Sequence, residues 1–137
     1  MKSNLPKMLH KVAGVALVGH VVRIMRIAGI EDINVVVSSD IADSAELHEP
    51  LLPGVRISVQ AEQLGTADAL QAARSAVASA DTIVVAPADM ILVAGELVRQ
   101  MIDQHISSDS LATVLGARVD DPAGMGRIQL DDSGRPS

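Results

Sequence analysis

Ile33-Asn34-Val35-Val36-Val37 is a short, nearly unbroken apolar run, the pattern of a strand covered on both faces, as in parallel sheets. Working outward from it, Leu17, Val21, Ile24 and Ala28 recur on one helical face across residues 16–28, and Gly29 stands where a helix stops. Residues 1–14 are polar, contain Pro6 and close on Gly14, so they read as a loop. On the other side, Asp40 caps a predicted short helix over residues 40–49, which Pro50 and Pro53 end. Residues 55–60 read as a second strand. Gly65-Thr66 opens a predicted helix over residues 65–78 with Leu70, Ala73 and Val77 turned inward. Residues 82–86 read as a third buried strand that ends at Pro87-Ala88-Asp89. A helix over 95–106, a fourth strand over 111–119, a loop over 120–126 and a fifth strand over 127–130 follow, closed by the turn Asp132-Ser133-Gly134. Apolar strands alternating with helices predict an α/β fold with a mostly parallel sheet and helices on both faces. There is no internal repeat or low-complexity segment, and the end at Arg135-Pro136-Ser137, straight after a turn, reads as cut.

The chain has 137 residues, enough for one domain or a piece of one. Hydrophobic residues make up 48%, which suffices for a packed core. Net charge is −6 and no basic cluster exists, so no nucleic-acid partner is expected; the complete lack of aromatics removes base stacking as well. With no cysteine, disulfides and thiolate metal sites are excluded. No apolar stretch approaches membrane-span length and the N-terminus has no signal-peptide pattern, so the expectation is a cytoplasmic protein without a membrane partner. A core without Phe, Trp or Tyr must rest on β-branched and small residues, with Met as filler.

In open α/β sheets ligands bind beyond the carboxyl ends of the strands. Gln60 and the following Glu62-Gln63-Leu64-Gly65-Thr66 fall there, as do Asp89 and the loop Gly124-Met125-Gly126-Arg127. A strand-end carboxylate suits Mg²⁺, a hard cation that takes oxygen ligands shared with phosphates. Position alone fits Asp89 equally well to a capping or loop role. Gly65-Thr66 offers free backbone N–H groups, although such a pair is more often a plain helix start. Gly-x-Gly is common in turns, and a lone loop lysine such as Lys7 is usually just solvated. The histidines His10, His20, His48 and His105 lack metal-ligand spacing and read as surface or core-edge residues. No nucleophile elbow or Ser-His-Asp set is visible. Asp120, Asp121, Asp131 and Asp132 read as solvated turns.

The order of these segments carries more than any one of them. Met1-Lys2-Ser3-Asn4-Leu5-Pro6-Lys7-Met8-Leu9-His10-Lys11-Val12-Ala13-Gly14 resembles the stretch that follows the signature loop of N-acetylglucosamine-1-phosphate uridylyltransferases. Val59-Gln60-Ala61-Glu62-Gln63-Leu64-Gly65-Thr66-Ala67 is similar to that family's uracil-binding segment. Val84-Val85-Ala86-Pro87-Ala88-Asp89 resembles the strand that ends on its metal-binding aspartate. Asp121-Pro122-Ala123-Gly124-Met125-Gly126-Arg127-Ile128 resembles the loop that closes over the sugar.

The resemblance implies a partial, MobA-like nucleotidyltransferase domain over residues 1–137: a Rossmann-like three-layer sandwich lacking the first strand and the phosphate loop. It implies a fragment of an enzyme that joins UTP to N-acetylglucosamine 1-phosphate and releases pyrophosphate, with Mg²⁺ as cofactor. Lys7 would contact phosphates and act catalytically, Gln60, Gly65 and Thr66 would hold the uracil, Asp89 would bind the metal, and Gly124 and Gly126 would line the sugar pocket. Intact members continue into a left-handed β-helix that acetylates glucosamine 1-phosphate and forms the homotrimer. This sequence departs from the family in places. The family's opening strand and Leu-Ala-Ala-Gly-x-Gly-Thr-Arg loop are absent, Met1 standing where the methionine after that arginine belongs. Asp68 stands where a histidine is typical, and Pro87 and Met125 stand where aromatics are common. The second metal ligand, an asparagine, and the later sugar contacts would lie beyond Ser137. The expectation is therefore an impaired or inactive uridylyltransferase. Its alternatives are a non-catalytic nucleotide-binding remnant and another sugar or cofactor nucleotidyltransferase of the same fold.

Overall fold

The computed structural model describes residues 5–44, 47 and 53–132. Its first feature is a 3₁₀ turn, Lys7–Leu9, held by the bond from the Leu9 amide to the Pro6 carbonyl at 3.0 Å. The segment expected to be plain loop then forms a small antiparallel ribbon, β1 (Lys11–Val12) and β2 (Val15–Ala16). Its turn places Ala13 at φ 51° and Gly14 at φ 80°, and the glycine relieves the strain of the second position.

Helix α1 (Leu17–Ile27) follows directly. Its apolar stripe buries Val18, Val21, Val22, Ile24 and Met25, and Gly29 at φ 89° lets the chain turn away at its end. Strand β3 (Asn34–Ser38) pairs in parallel with β4 (Arg56–Gln60), in a register that aligns Val35 with Ile57 and Ser38 with Gln60. Val35 and Val37 join the residues of α1, Leu9, Ile41, Leu47 and Val98 in one core. The intervening positions of β3 are half-buried, so one face of the strand is more deeply covered than the other.

Helices α2 (Thr66–Ala72) and α3 (Arg74–Val77) occupy the predicted 65–78 segment, with a break at Ala73. Ala73 is buried and Val77 half-buried, as expected, whereas Leu70 is exposed. Helix α4 (Gly95–Ser107) matches the prediction and packs on α1 through Val98.

Other expectations need correction. Residues 39–43 form successive turns, closed by the Ile41 amide on the Ser38 carbonyl and the Ser44 amide on the Ile41 carbonyl; the rest of the predicted 40–49 helix falls largely outside the described residues. Residues 82–86 alternate in burial in part, with Val84 and Ala86 against the core, yet they join no ladder. Residues 111–119 and 127–130 form no strand either, apart from an isolated bridge at Leu130, and Leu111, Val114 and Ile128 are exposed. A strand is defined by a hydrogen-bonded neighbour about 4.8 Å away, and among the described residues these segments enter no ladder. What remains is an α/β arrangement with a small parallel sheet and no closed barrel. No helix among the described residues is long and apolar enough to cross a membrane.

Candidate active site

Leu9 is almost completely buried and pins the 3₁₀ turn to the core, which leaves Lys7 at the start of that turn pointing outward. Ala86, Met90 and Ile91 pack against the same core and bracket Asp89. The turn after residues 82–86 is closed by the Met90 amide on the Pro87 carbonyl at 3.2 Å and the Ile91 amide on the Asp89 carbonyl at 2.9 Å. These two anchored turns meet: the Lys7 ammonium donates to Asp89 Oδ2 across 82 residues of sequence. The Lys7 side chain is 68% exposed and that of Asp89 39%, so the pair is open to ligand and solvent.

The hydrogen bond from Lys7 is the main reason the Asp89 carboxyl titrates below its ordinary value of 3.8; slight burial opposes the shift, while the lysine charge and the residue's own backbone reinforce it. A lowered carboxylate pKa stabilises the folded chain above the unfolded value, and that contribution is lost as pH falls below 3.8 through the folded value. At this exposure the contribution is small.

Gln60 ends β4 and is the buried polar residue of the core region, 9% exposed. A buried amide needs partners. Its Nε2 donates to Asp68 Oδ2 at 2.6 Å and to the Gly65 carbonyl at 3.4 Å. Gly65 precedes α2 with φ 115° and ψ −174°, a conformation costly for any residue with a Cβ. Its carbonyl also accepts the Ala69 amide at 3.0 Å, so the loop, the helix start and Gln60 are tied together. Thr66 begins α2 and is exposed beside them. Sequence reasoning assigned no role to Asp68. The available signal was a strand-end glutamine followed, in the first turn of the next helix, by a carboxylate able to accept from it.

Gly124 and Gly126 lie in an exposed loop built by short-range bonds. The Ala123 amide donates to Asp121 Oδ1 at 3.0 Å and the Met125 amide to the Pro122 carbonyl at 3.1 Å. Arg127 donates to the carbonyls of Pro122 and Met125. Gly124, at φ 75°, needs to be glycine, whereas Gly126 has ordinary φ and open space around it. Thus the structure joins Lys7 to Asp89, and Gln60 to Gly65 beside Thr66. Among the described residues no hydrogen bond or ion pair connects the Gly124–Gly126 loop to either group.

Residues 1–127 match the model of the MobA-like NTP transferase domain. The chain belongs to this family. Among the curated relatives of this MobA-like domain is the "Bifunctional protein GlmU" of Syntrophomonas wolfei, 38% identical over 136 residues that make up 98% of this chain and 29% of that protein. The protein of the same name from Clostridioides difficile is 37% identical over 134 residues, 98% of this chain and 28% of its own length. That of Streptococcus gordonii is 40% identical over 137 residues, again 98% of this chain and 29% of the relative. The chain thus spans less than a third of the length of these relatives. The chain is accordingly a nucleotidyltransferase domain of Rossmann-like α/β type.

Within this MobA-like domain, the donor set fits one kind of metal site only. No cluster of His, Cys, Asp and Glu able to hold a metal occurs among the described residues. The Asp89 carboxylate would suit Mg²⁺ shared with substrate phosphates and does not suit a cage made by protein alone. A cation arriving there would compete with the Lys7 ammonium for Oδ2. The histidines have other tasks: His10 Nε2 bonds the Leu5 carbonyl at 3.1 Å, His20 Nε2 the Val12 carbonyl at 2.9 Å, and His105 Nδ1 the Thr113 hydroxyl at 2.9 Å. His48 lies outside the described residues.

Proposed function

We propose that this domain derives from an enzyme that forms UDP-N-acetylglucosamine and pyrophosphate from UTP and N-acetylglucosamine 1-phosphate, and that as this chain it keeps nucleotide recognition but not efficient transfer. The observation that carries the reading is the convergence of Lys7 and Asp89 from turns 82 residues apart. A phosphate-binding cation and a metal-binding carboxylate are needed at one point when charge builds on phosphorus oxygens and on departing pyrophosphate. Without a ligand they neutralise each other. With one bound, Lys7 would turn to the phosphates and Asp89 would hold Mg²⁺ against them. The ion would supply charge neutralisation and alignment of the phosphates.

Gln60, Gly65 and Thr66 would take the uracil, since they gather at the carboxyl end of β4, where ligands of open α/β sheets bind. Gly124 and Gly126 would approach the sugar through backbone rather than side chain, as the open space at both positions permits. The sugar phosphate attacks the α-phosphorus in line, so positioning replaces covalent catalysis. The absence of cysteine suits such chemistry.

The 137 residues contain no Gly-x-Gly-Thr-Arg sequence, which in the resembling family grips the triphosphate. Calorimetric titration with UDP-N-acetylglucosamine tests the retained half of the proposal. Measurable binding is expected, weakened about tenfold or more by Gln60→Ala, the range for losing a buried hydrogen-bond partner. Binding indifferent to Gln60→Ala would exclude Gln60 from the nucleotide site.

A further inference from the structure

We infer that Asp68 is a positioning residue that fixes the orientation of the Gln60 amide and so sets which nucleobases the domain accepts. The inference rests on the reading of Gln60 as the base-contacting residue. A primary amide has a donor end and an acceptor end, and the ligand meets whichever end the protein leaves free. Here the choice is made by the surroundings. Asp68 Oδ2, 2.6 Å from Nε2, and the Gly65 carbonyl, 3.4 Å away, both only accept hydrogen bonds. Flipping the amide would press its oxygen against a carboxylate and a carbonyl, so both N–H groups of Gln60 are spent inward.

The side-chain oxygen is left over. Among the described residues no donor reaches it. It is not sealed either, because the buried side-chain polar atom without a partner among the described residues is Ser44 Oγ. A free acceptor at the base site selects an edge with a ring N–H, which uracil offers at N3 and cytosine does not. Asp68 stands in the first turn of α2 and acts only through Gln60.

The test uses the whole chain and NMR titration with UTP, CTP and N3-methyl-UTP, a method that reads weak binding. The wild-type chain should prefer UTP to both others by about tenfold or more. Asp68→Ala should reduce that preference to about twofold, and Asp68→Asn, whose side-chain oxygen still accepts, should restore most of it. Asp68→Lys, which only donates, turns the Gln60 oxygen inward and should also abolish the preference. A second readout needs no ligand: the Gln60 side-chain amide signals, identified by their loss in Gln60→Ala, should shift in Asp68→Ala and Asp68→Lys. Unmoved signals together with intact UTP preference in both variants would overturn the role of Asp68 while leaving the uracil site standing. A wild-type chain that binds no nucleotide, or binds all three alike, would overturn the uracil reading and this inference with it.

Discussion

Incubated with UTP, Mg²⁺ and N-acetylglucosamine 1-phosphate, the 137-residue chain is expected to release no detectable pyrophosphate. Phosphoryl and nucleotidyl transfer depends on preorganised donors aimed at developing negative charge, and removing one such donor typically costs about 10²–10³ in rate. Among the described residues the cation at the site is Lys7, and Asp89 already occupies it. The sequence holds no Gly-x-Gly-Thr-Arg loop to add backbone N–H groups and an arginine. With several such donors outside these 137 residues, the rate of this chain assayed alone is expected to fall below detection. Coupled pyrophosphate assays measure it directly. A readily measured rate would show that the chain's own residues suffice.

The second large effect concerns the frame rather than the site. Gly95→Val should lower the denaturation midpoint, with a loss of about 1–3 kcal/mol or more of stability and little change in denaturant slope. Gly95 starts α4 where it crosses the end of α1. A Cβ there would lie 2.5 Å from Ile27 Cγ2, 2.7 Å from Ile27 Cβ and 2.9 Å from the Ile24 carbonyl oxygen. The Ile27 side chain is mostly exposed and can swing aside, but the Ile24 carbonyl belongs to the helix backbone and cannot. The helices must therefore separate, which loosens Val98 against the core. An unchanged midpoint would mean that α1 and α4 do not pack as described.

How much of this was legible beforehand depends on whether the signal is local. Helices α1 and α4 and strands β3 and β4 lie within a residue or so of their predicted limits, because a 3.6-residue stripe or an unbroken apolar run records burial in the segment itself. Residues 82–86 and 111–119 carry equally apolar patterns and still form no ladder, since a hydrogen-bonded neighbour is not a property of the segment. The helix break at Ala73 was invisible for a similar reason: Ala-rich sequence favours helix throughout, and packing decides otherwise.

At the site, Lys7, Gln60, Gly65, Thr66 and Asp89 were candidates from motif order. The pairing of Lys7 with Asp89 and of Gln60 with Asp68 was not, because each depends on where two separated turns meet in space. Gly124 and Gly126 were candidates on the same grounds, and their loop is held by its own bonds, with Arg127 as its closure.

Lys7 with Asp89, and Gln60 with Gly65 and Thr66, are proposed to serve one nucleotide. Backbone amide NMR of the chain titrated with UTP and Mg²⁺ tests this most directly. Concerted shifts at Lys7, Gln60, Gly65, Thr66 and Asp89, saturating along a single binding curve, are the expected result. Shifts confined to one of the two groups, or clustered elsewhere such as the surface around Arg99 and Asp103, would contradict it.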